Sequence, residues 1–282
     1  MVIKKILDLE KLEVDIYRGI KFTPKNGFLK RTFGGHIIGQ SLVSAIRTTD
    51  TSFKVHSLHC YFLSAGDSQK SLIYIVKRIK DGRSFCTRQV NAIQNGKTIF
   101  TMLASFQTDQ ISIKCQDNIS DLFSLEGLID FRSYDYFTDT SFAQFDEWDV
   151  RIMPYNKLAR KSNSNLKQQV WFRHRNTLPN DSMLHVCALA YVSDLTLLSV
   201  ARLSHIDTKS QLMVTSLDHT IWFMQPFRID DWLLYNQFSP WTFNGRSLTY
   251  GNIFNKYGDI VAFVAQEGLT RYKANFSQSG MI

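Results

Sequence analysis

Apolar residues recur at helical spacing in one segment near the start of the chain. From Gly35 to about Ile46 (GHIIGQSLVSAI), Ile37, Ile38, Leu42, Val43 and Ile46 fall on one face of a 3.6-residue repeat, which predicts a helix. Gly34 and Gly35 stand at its start, where unpaired N–H groups and the positive end of the helix dipole gather. A second segment, from about Leu184 to Ala201 (LHVCALAYVSDLTLLSVA), is apolar almost throughout and predicts a helix buried on most sides. Asp194 is the one acidic residue inside it.

A run of strand-like segments follows each helix. Ser57–Leu63, Ser71–Lys77, Ser84–Ile93 and Thr98–Gln107 come after the first, and Asn95-Gly96 joins the last two as a hairpin turn. Leu212–Met224, Trp232–Phe238, Ser247–Phe254 and Ile260–Tyr272 come after the second, with Lys256-Tyr257-Gly258-Asp259 at the last turn. The halves also share text in the same order. Ser57-Leu58-His59 parallels Ser216-Leu217-Asp218, and Asp81-Gly82-Arg83-Ser84-Phe85 parallels Asn244-Gly245-Arg246-Ser247-Leu248. A duplicated unit of this length predicts two domains rather than a solenoid. Ile111 to about Asn165 reads as a long, partly ordered connection across the surface. It carries Tyr134, Tyr136, Phe137 and Trp148, and Lys157–Asn165 is its most linker-like part. The expected division is residues 1–110, a connecting segment 111–165, and residues 166–282.

Composition changes this picture little. With 282 residues, 44% hydrophobic and 21% charged, the chain has enough apolar surface for a sizeable core, and 13% aromatics favour strands. The net charge of +8 is spread along the chain without basic blocks, which favours an anionic ligand, or plain solubility, over nucleic acid. The cysteines Cys60, Cys86, Cys115 and Cys187 form no CxxC pair and no His/Cys cluster with zinc spacing, so reduced, mostly buried thiols and no metal are expected. The stretch MVIKKILDLEKLEVD turns acidic too early for a signal peptide. No apolar run is expected to reach the roughly 18 residues of a membrane span. The final Ser-Gly-Met-Ile is no peroxisomal Ser-Lys-Leu tail, so the expected location is the cytoplasm.

GxSxG, P-loop, GxGxxG and HExxH patterns are all missing from the sequence, which argues against a serine-elbow hydrolase, a kinase or a Rossmann dehydrogenase. Polar residues on otherwise apolar elements remain. Asp194 reads equally as a structural carboxylate bonded to nearby backbone or as a functional one. Ser216 and Gln266, taken singly, read as an ordinary strand-edge serine and an outward-facing strand amide.

A family resemblance joins these residues. Phe33-Gly34-Gly35-His36-Ile37-Ile38-Gly39-Gln40-Ser41-Leu42, His56-Ser57-Leu58-His59-Cys60-Tyr61-Phe62-Leu63, Asp81–Phe85, Gln94–Lys97 and Ala104-Ser105-Phe106 resemble motifs of the type II acyl-CoA thioesterases, bacterial and peroxisomal. In the second half Ser216–Phe223 and Ala265-Gln266-Glu267-Gly268 are similar to that family's most recognisable motifs. The resemblance runs from about Leu9 to Lys273. It implies an α+β double hotdog, two curved antiparallel sheets each wrapped around a central helix. It also implies hydrolysis of fatty acyl-CoA to fatty acid and CoA without a cofactor, and frequent homo-oligomerisation. The family's catalytic Asp, Ser or Thr, and Gln carry over to Asp194, Ser216 and Gln266.

This sequence departs from the family at His36, where Gln is common. His36 is a hydrogen-bond donor that titrates near neutral pH, or else a satisfied helix-start histidine. Gly34, Gly35 and His36 are expected near substrate, with Gly34 and Gly35 as candidate oxyanion donors. Arg83, Arg88 and Arg246 are candidates for the CoA phosphates, or solvated strand residues. Eight residues on from Gly96 stands Ala104, and eight on from Gly258 stands Gln266, so only the second half is expected to hold a complete site. The expected chemistry is attack by water. A rival makes Ser216 the covalent nucleophile, with His219 close in sequence. Other functions on the same fold are enoyl-CoA hydration or dehydration, whose sites usually pair Asp with His, and non-catalytic acyl-CoA binding.

Overall fold

A computed structural model describes residues 2–20, 31–116, 127–133, 145–153, 166–208 and 212–272. The elements are α1 (Val2–Leu7), β1 (Leu9–Glu13), β2 (Ile16–Gly19), α2 (Gly34–Ile46), β3 (Phe53–Phe62), β4 (Ile73–Asp81), β5 (Phe85–Gln94) and β6 (Lys97–Thr108). There follow β7 (Ile129–Asp130), β8 (Trp148–Ile152), β9 (Leu166–His174), α3 (Ser182–Val192), a 3₁₀ segment (Leu197–Thr208), β10 (Leu212–Ser216), β11 (Asp218–Phe223), β12 (Leu233–Phe243), β13 (Arg246–Asn255) and β14 (Ile260–Tyr272). All described strand pairs are antiparallel and form one continuous sheet in the order β1-β2-β4-β5-β6-β3-β11-β14-β13-β12-β9-β8-β7, with β10 paired to β14. The first-half and second-half meanders meet at β3 and β11, where Cys60 lies opposite His219 and Tyr61 opposite Asp218.

Alternation along the strands decides which side chains turn inward. In β5 every second residue is buried, so Cys86, Arg88, Val90 and Ala92 point into the core. Asn95-Gly96 turns β5 into β6 with both residues at positive φ (51° and 75°), and Asn244-Gly245 does the same between β12 and β13 (49° and 72°). Those angles are the ones that match strand twist in a two-residue hairpin.

The α2 helix lies on the first-half sheet with Ile37, Ile38 and Leu42 almost fully buried, each contributing about 1.5–3 kcal/mol by leaving water. Its other face meets α3, and the two backbones approach closely. A Cβ at Gly35 would strike the Tyr191 carbonyl oxygen, and one at Gly39 would sit 3.4 Å from the Cys187 carbonyl oxygen. Residues early in α2 thus lie against the end of α3, and the helices run antiparallel.

The structure differs from the sequence expectations in three places. First, the helix expected over 184–201 starts earlier and stops at Val192. Asp181 caps its start by accepting from the N–H groups of Met183 and Leu184. At the other end Ser193 and Thr196 belong to the residue types whose side chains compete for backbone groups, and the Ser193 hydroxyl lies 3.1 Å from the Ala190 carbonyl oxygen. Asp194 therefore lies in the break, two residues beyond α3.

Second, residues 111–116 run exposed along the surface as expected, but 129–133 and 145–152 do not. Strands β7 and β8 extend the sheet beyond β9, and Phe131, Phe145, Trp148, Val150 and Ile152 are core residues. Their apolar alternation is the signal that composition concealed. Tyr134, Tyr136, Phe137 and Lys157–Asn165 lie outside the described residues, as does the C-terminal Ser-Gly-Met-Ile. Third, the stretch Ser182–Leu203 is by length and composition apolar enough for a membrane span, contrary to expectation, but 61% of its most apolar window is buried in protein. Of the cysteines, Cys60, Cys86 and Cys187 are buried, Cys115 is exposed, and all are free.

The close contact between α2 and α3 predicts that Gly35→Ala destabilises the fold by about 1–3 kcal/mol, because backbone has to move to admit a methyl group. Urea unfolding of the variant beside the native chain measures the loss.

Candidate active site

Four separate pieces of chain bring one carboxylate, one hydroxyl, one amide and one backbone N–H together. The break after α3 supplies Asp194, the end of β10 supplies Ser216, the middle of β14 supplies Gln266, and the first turn of α2 supplies Gly35. The Gln266 amide nitrogen donates to Asp194 Oδ1 at 2.8 Å and to Ser216 Oγ at 2.8 Å. The Gly35 N–H donates to Asp194 Oδ2 at 2.9 Å. The Asp194 side chain is 5% exposed, Gln266 is buried and Ser216 is half-buried.

Local irregularities aim these groups. The strand expected over 212–224 breaks at Leu217, whose N–H bonds the Glu267 carbonyl and whose carbonyl accepts from Phe62 N–H. Ser216 lies opposite Gly268, yet Thr220 lies opposite Ala265, a one-residue slip of the bulge type that re-aims side chains. Asp218 fastens the kink by accepting from the Glu267 N–H at 2.6 Å. On the α2 side, Phe33 has no side-chain acceptor to cap the helix. Asp194 performs that task from 159 residues away. Only glycine permits it at position 34, since a Cβ there would lie 2.5 Å from Asp194 Oδ2.

Burial of Asp194 raises its carboxyl from 3.8 to about 6, against the hydrogen bonds from Gln266, Gly35 and Ser216, which lower it. Desolvation penalises the charged form more than three donors stabilise it. The result is a carboxylate that is ionised at neutral pH and still a useful base.

His219 lies beneath this cluster and is fully buried. Its Nδ1 is 3.9 Å from Asp194 Oδ1 and its Nε2 is 2.9 Å from Ser193 Oγ. Burial depresses its imidazolium to about 3, so the ring is neutral at any ordinary pH. Sequence reading noticed His219 only as a neighbour of Ser216. In the structure its ring is bonded to Ser193, and a Ser216–His219 nucleophile pair is not arranged. The role of Ser193 was missed altogether, since a serine at a helix end carries no chemical signal.

The remaining sequence candidates fall at varied distances from this cluster. Gly34 and Gly35 are at it, but the Gly35 N–H is already occupied by Asp194 and is not free for an oxyanion. His36 is buried, with Gln40 and the Ile20 backbone as its partners, and burial lowers its titration to about 4, so it behaves as the satisfied helix-start histidine. Arg83 is exposed on the turn between β4 and β5. Arg246 is exposed, pairs with Glu267 at 2.8 Å and stands over the Trp241 ring, one residue from Gln266 through its partner.

The assignment of Arg88 to CoA phosphates is corrected. Its side chain is 2% exposed and its donors are taken by Thr48, the Lys80 and Thr87 carbonyls, and Asp81. Thr48 stands two residues beyond the end of α2, as Asp194 stands two beyond α3. Arg88 therefore closes the first-half helix end, with its positive charge at the negative end of the dipole. Ala104, the first-half counterpart of Gln266, is buried opposite Arg88. A cleft of about 610 Å³ lies near this same end of the helix pair, between Lys4, Arg47, Asp181 and Leu184, and touches none of Asp194, Ser216 and Gln266. Among the described residues no group of three His, Cys, Asp or Glu is arranged to hold a metal ion.

Comparison with known proteins covers the same ground. A family model described as acyl-CoA thioesterase matches residues 139–269, and one described as acyl-CoA thioesterase N-terminal domain matches residues 25–107. A Mus musculus protein named acyl-coenzyme A thioesterase 8 is 35% identical over 99% of this chain and 92% of its own length. The solved structure of an acyl-CoA thioesterase II from Mycobacterium marinum is 52% identical, with a TM-score of 0.84 over 97% of this chain and 100% of that one. A protein from Alicyclobacillus acidocaldarius with a hot dog fold is 16% identical, with a TM-score of 0.78 over 97% of this chain and 99% of its own, and shares the fold.

Because Arg88 holds structure, Arg88→Met is expected to cost roughly 2–4 kcal/mol of stability by stranding buried carbonyl groups. The Michaelis constant of the folded variant for its substrate stays at the native value. Thermal melts and steady-state kinetics on one preparation check both halves of this expectation.

Proposed function

This chain belongs to the acyl-CoA thioesterase family, and we propose that it hydrolyses fatty acyl-CoA with a water molecule activated by Asp194 and held by Ser216 and Gln266. The observation that carries the assignment is the buried carboxylate, raised to about 6 and met by a hydroxyl and an amide from two strands. A base works best when its pKa lies near the operating pH, where it is ionised and still takes a proton readily.

The water donates one hydrogen to Asp194 and the other to the Ser216 oxygen, which gives its own hydrogen to Asp194 and also accepts from the Gln266 amide. Its oxygen attacks the thioester carbonyl carbon while its proton passes to Asp194. The carbon–sulfur bond then breaks, the electron pair leaves with CoA sulfur, and the proton on Asp194 is returned to the thiolate or to solvent. Fixing water, carboxylate and thioester in one arrangement supplies several kcal/mol of barrier lowering in such sites. The three-point hold on Asp194 serves that end. Binding of the CoA phosphates falls to exposed cations such as Arg83 and Arg246, the latter already beside Glu267. On the expected division into residues 1–110, 111–165 and 166–282, the three reacting groups come from the last part and the N–H that Asp194 caps from the first.

The enoyl-CoA hydratase reading gains one point from His219, 3.9 Å from Asp194. Its complete burial and its bond to Ser193 keep that ring away from any substrate, which favours hydrolysis. A non-catalytic acyl-CoA carrier would have no use for a desolvated carboxylate held ready to take a proton.

Asp194→Asn is expected to lower thiol release from acyl-CoA by two or more orders of magnitude while the chain stays folded, and near-native turnover would remove Asp194 from the role. In the native enzyme kcat/KM is expected to fall as pH drops below about 6, because protonated Asp194 accepts no proton. Stability moves in the opposite sense. A carboxyl raised from 3.8 to about 6 on folding favours the folded state below pH 3.8, and that advantage is lost as pH rises through 6. The shift corresponds to a cost on the order of 3 kcal/mol at pH 8. The Asn variant avoids this cost, so its melting temperature at pH 8 is expected to equal or exceed the native value, with the difference shrinking towards pH 4.

A further inference from the structure

Gln266 makes two donor bonds with one amide nitrogen, and the water-activating role depends on which way round that amide sits. Rotated by half a turn, it would aim Oε1 at the Asp194 carboxylate, and two acceptors would face each other. The two bonds at 2.8 Å specify the nitrogen side but leave Oε1 to be accounted for. That oxygen is buried and has no close partner among the described residues. A second buried atom beside the cluster is in the same condition, His219 Nδ1. Gln266 Nε2 at 2.8 Å and His219 Nδ1 at 3.9 Å meet the same oxygen, Asp194 Oδ1, so the amide and the ring are neighbours. Buried polar atoms without partners are costly, and two complementary ones side by side identify each other.

The other ring nitrogen decides the tautomer. Ser193 Oγ lies 2.9 Å from His219 Nε2 and 3.1 Å from the Ala190 carbonyl oxygen, and a hydroxyl has one hydrogen. Were that hydrogen given to Ala190, Nε2 would carry the ring proton, and Nδ1 would meet Gln266 Oε1 lone pair to lone pair. Given to Nε2, the closer acceptor, it leaves the ring proton on Nδ1, where Oε1 can accept it. One arrangement strands two buried atoms and the other strands neither. The His219 backbone is held too, since its carbonyl accepts from Cys60 Sγ at 3.1 Å across the β3–β11 seam.

We propose that His219 is a positioning residue for hydrolysis: its Nδ1–H holds Gln266 Oε1, the Ser193 hydroxyl holds its Nε2, and the amide is thereby locked with nitrogen towards Asp194 and Ser216. The relay runs Ser193 to His219 to Gln266, entirely within the protein, and His219 touches no substrate. It rests on the assignment of Gln266 to the site given above.

The test compares His219→Leu, His219→Asn and His219→Gln with Gln266→Ala, each in the full chain, by kcat and KM on one acyl-CoA and by thermal melts. The Asn amide reaches the position of Nδ1, and the Gln amide reaches that of Nε2. Loss of the lock leaves Oε1 unpaired, so His219→Leu is expected to lower kcat about 10- to 100-fold with KM within about threefold. His219→Asn recovers most of that loss and His219→Gln does not. Equal activity in the Asn and Gln variants, or native kcat in His219→Leu, overturns the proposal. If the His219 variants fail to fold, Ser193→Ala decides: a several-fold fall in kcat at native KM supports the relay, and native kcat overturns it. Gln266→Ala separates the two levels. Full activity there removes Gln266 itself from the site, whereas an inactive Gln266→Ala beside a native-like His219→Leu sinks only the positioning role.

Discussion

The bond from the Gly35 N–H to Asp194 holds the two halves of this molecule in their working relation. A helix needs something to accept its first N–H groups, and α2 begins at Phe33 without a side chain able to do so. A carboxylate needs donors before it can be buried, and Asp194 lies at the carbonyl end of α3, where the dipole opposes it. Each deficiency is met by the other at 2.9 Å. Close approach of the antiparallel helices makes this possible, and that approach requires the absence of side chains at positions 34 and 35. The site therefore belongs to the packing of the whole chain, although its three reacting groups all come from one half.

The same bond explains the tension between stability and chemistry. A protein built for stability alone would place a neutral residue where Asp194 sits. The carboxylate is kept in a dry position and compensated by three donors, which is enough to hold it and too little to return it to the ordinary carboxyl range. Two of the elements around it depart from regularity: the helix breaks after Val192, and β10 and β11 are offset by a bulge at Leu217. Local regularity has been given up where chemistry requires particular directions.

The two halves show how a duplicated unit diverges. Each has a helix, a meander and a residue two positions beyond the helix end facing the sheet. In the first half that residue is Thr48, and Arg88 fills the space against it with hydrogen bonds to backbone carbonyls. In the second half the residue is Asp194, and the Gln266 amide and Ser216 hydroxyl gather against it. Ala104 and Gln266 make the same contrast on the last strand of each half. One helix end is met by a guanidinium and the other by an amide.

Much of this was decided by the sequence itself. The period of α2, the alternation of β5, the Asn-Gly turn between β5 and β6 and the repeated segments are local properties, and local physics fixes them. Gln266 against Ala104 was also legible, because a turn glycine sets the register on each side. Tertiary structure alone decided the rest. The buried clamp of Arg88 follows from which surfaces meet, and charge or composition carries no record of that, whereas the Asp181 cap and the Trp148, Val150, Ile152 alternation were local signals. The bonds from Gly35 and Gln266 to Asp194 and the pairing of His219 with Ser193 join residues 26 to 159 positions apart, and no sequence spacing encodes such a bond. A carboxylate in an apolar stretch reads the same whether it is structural or reactive, and its partners in space are what distinguish the two.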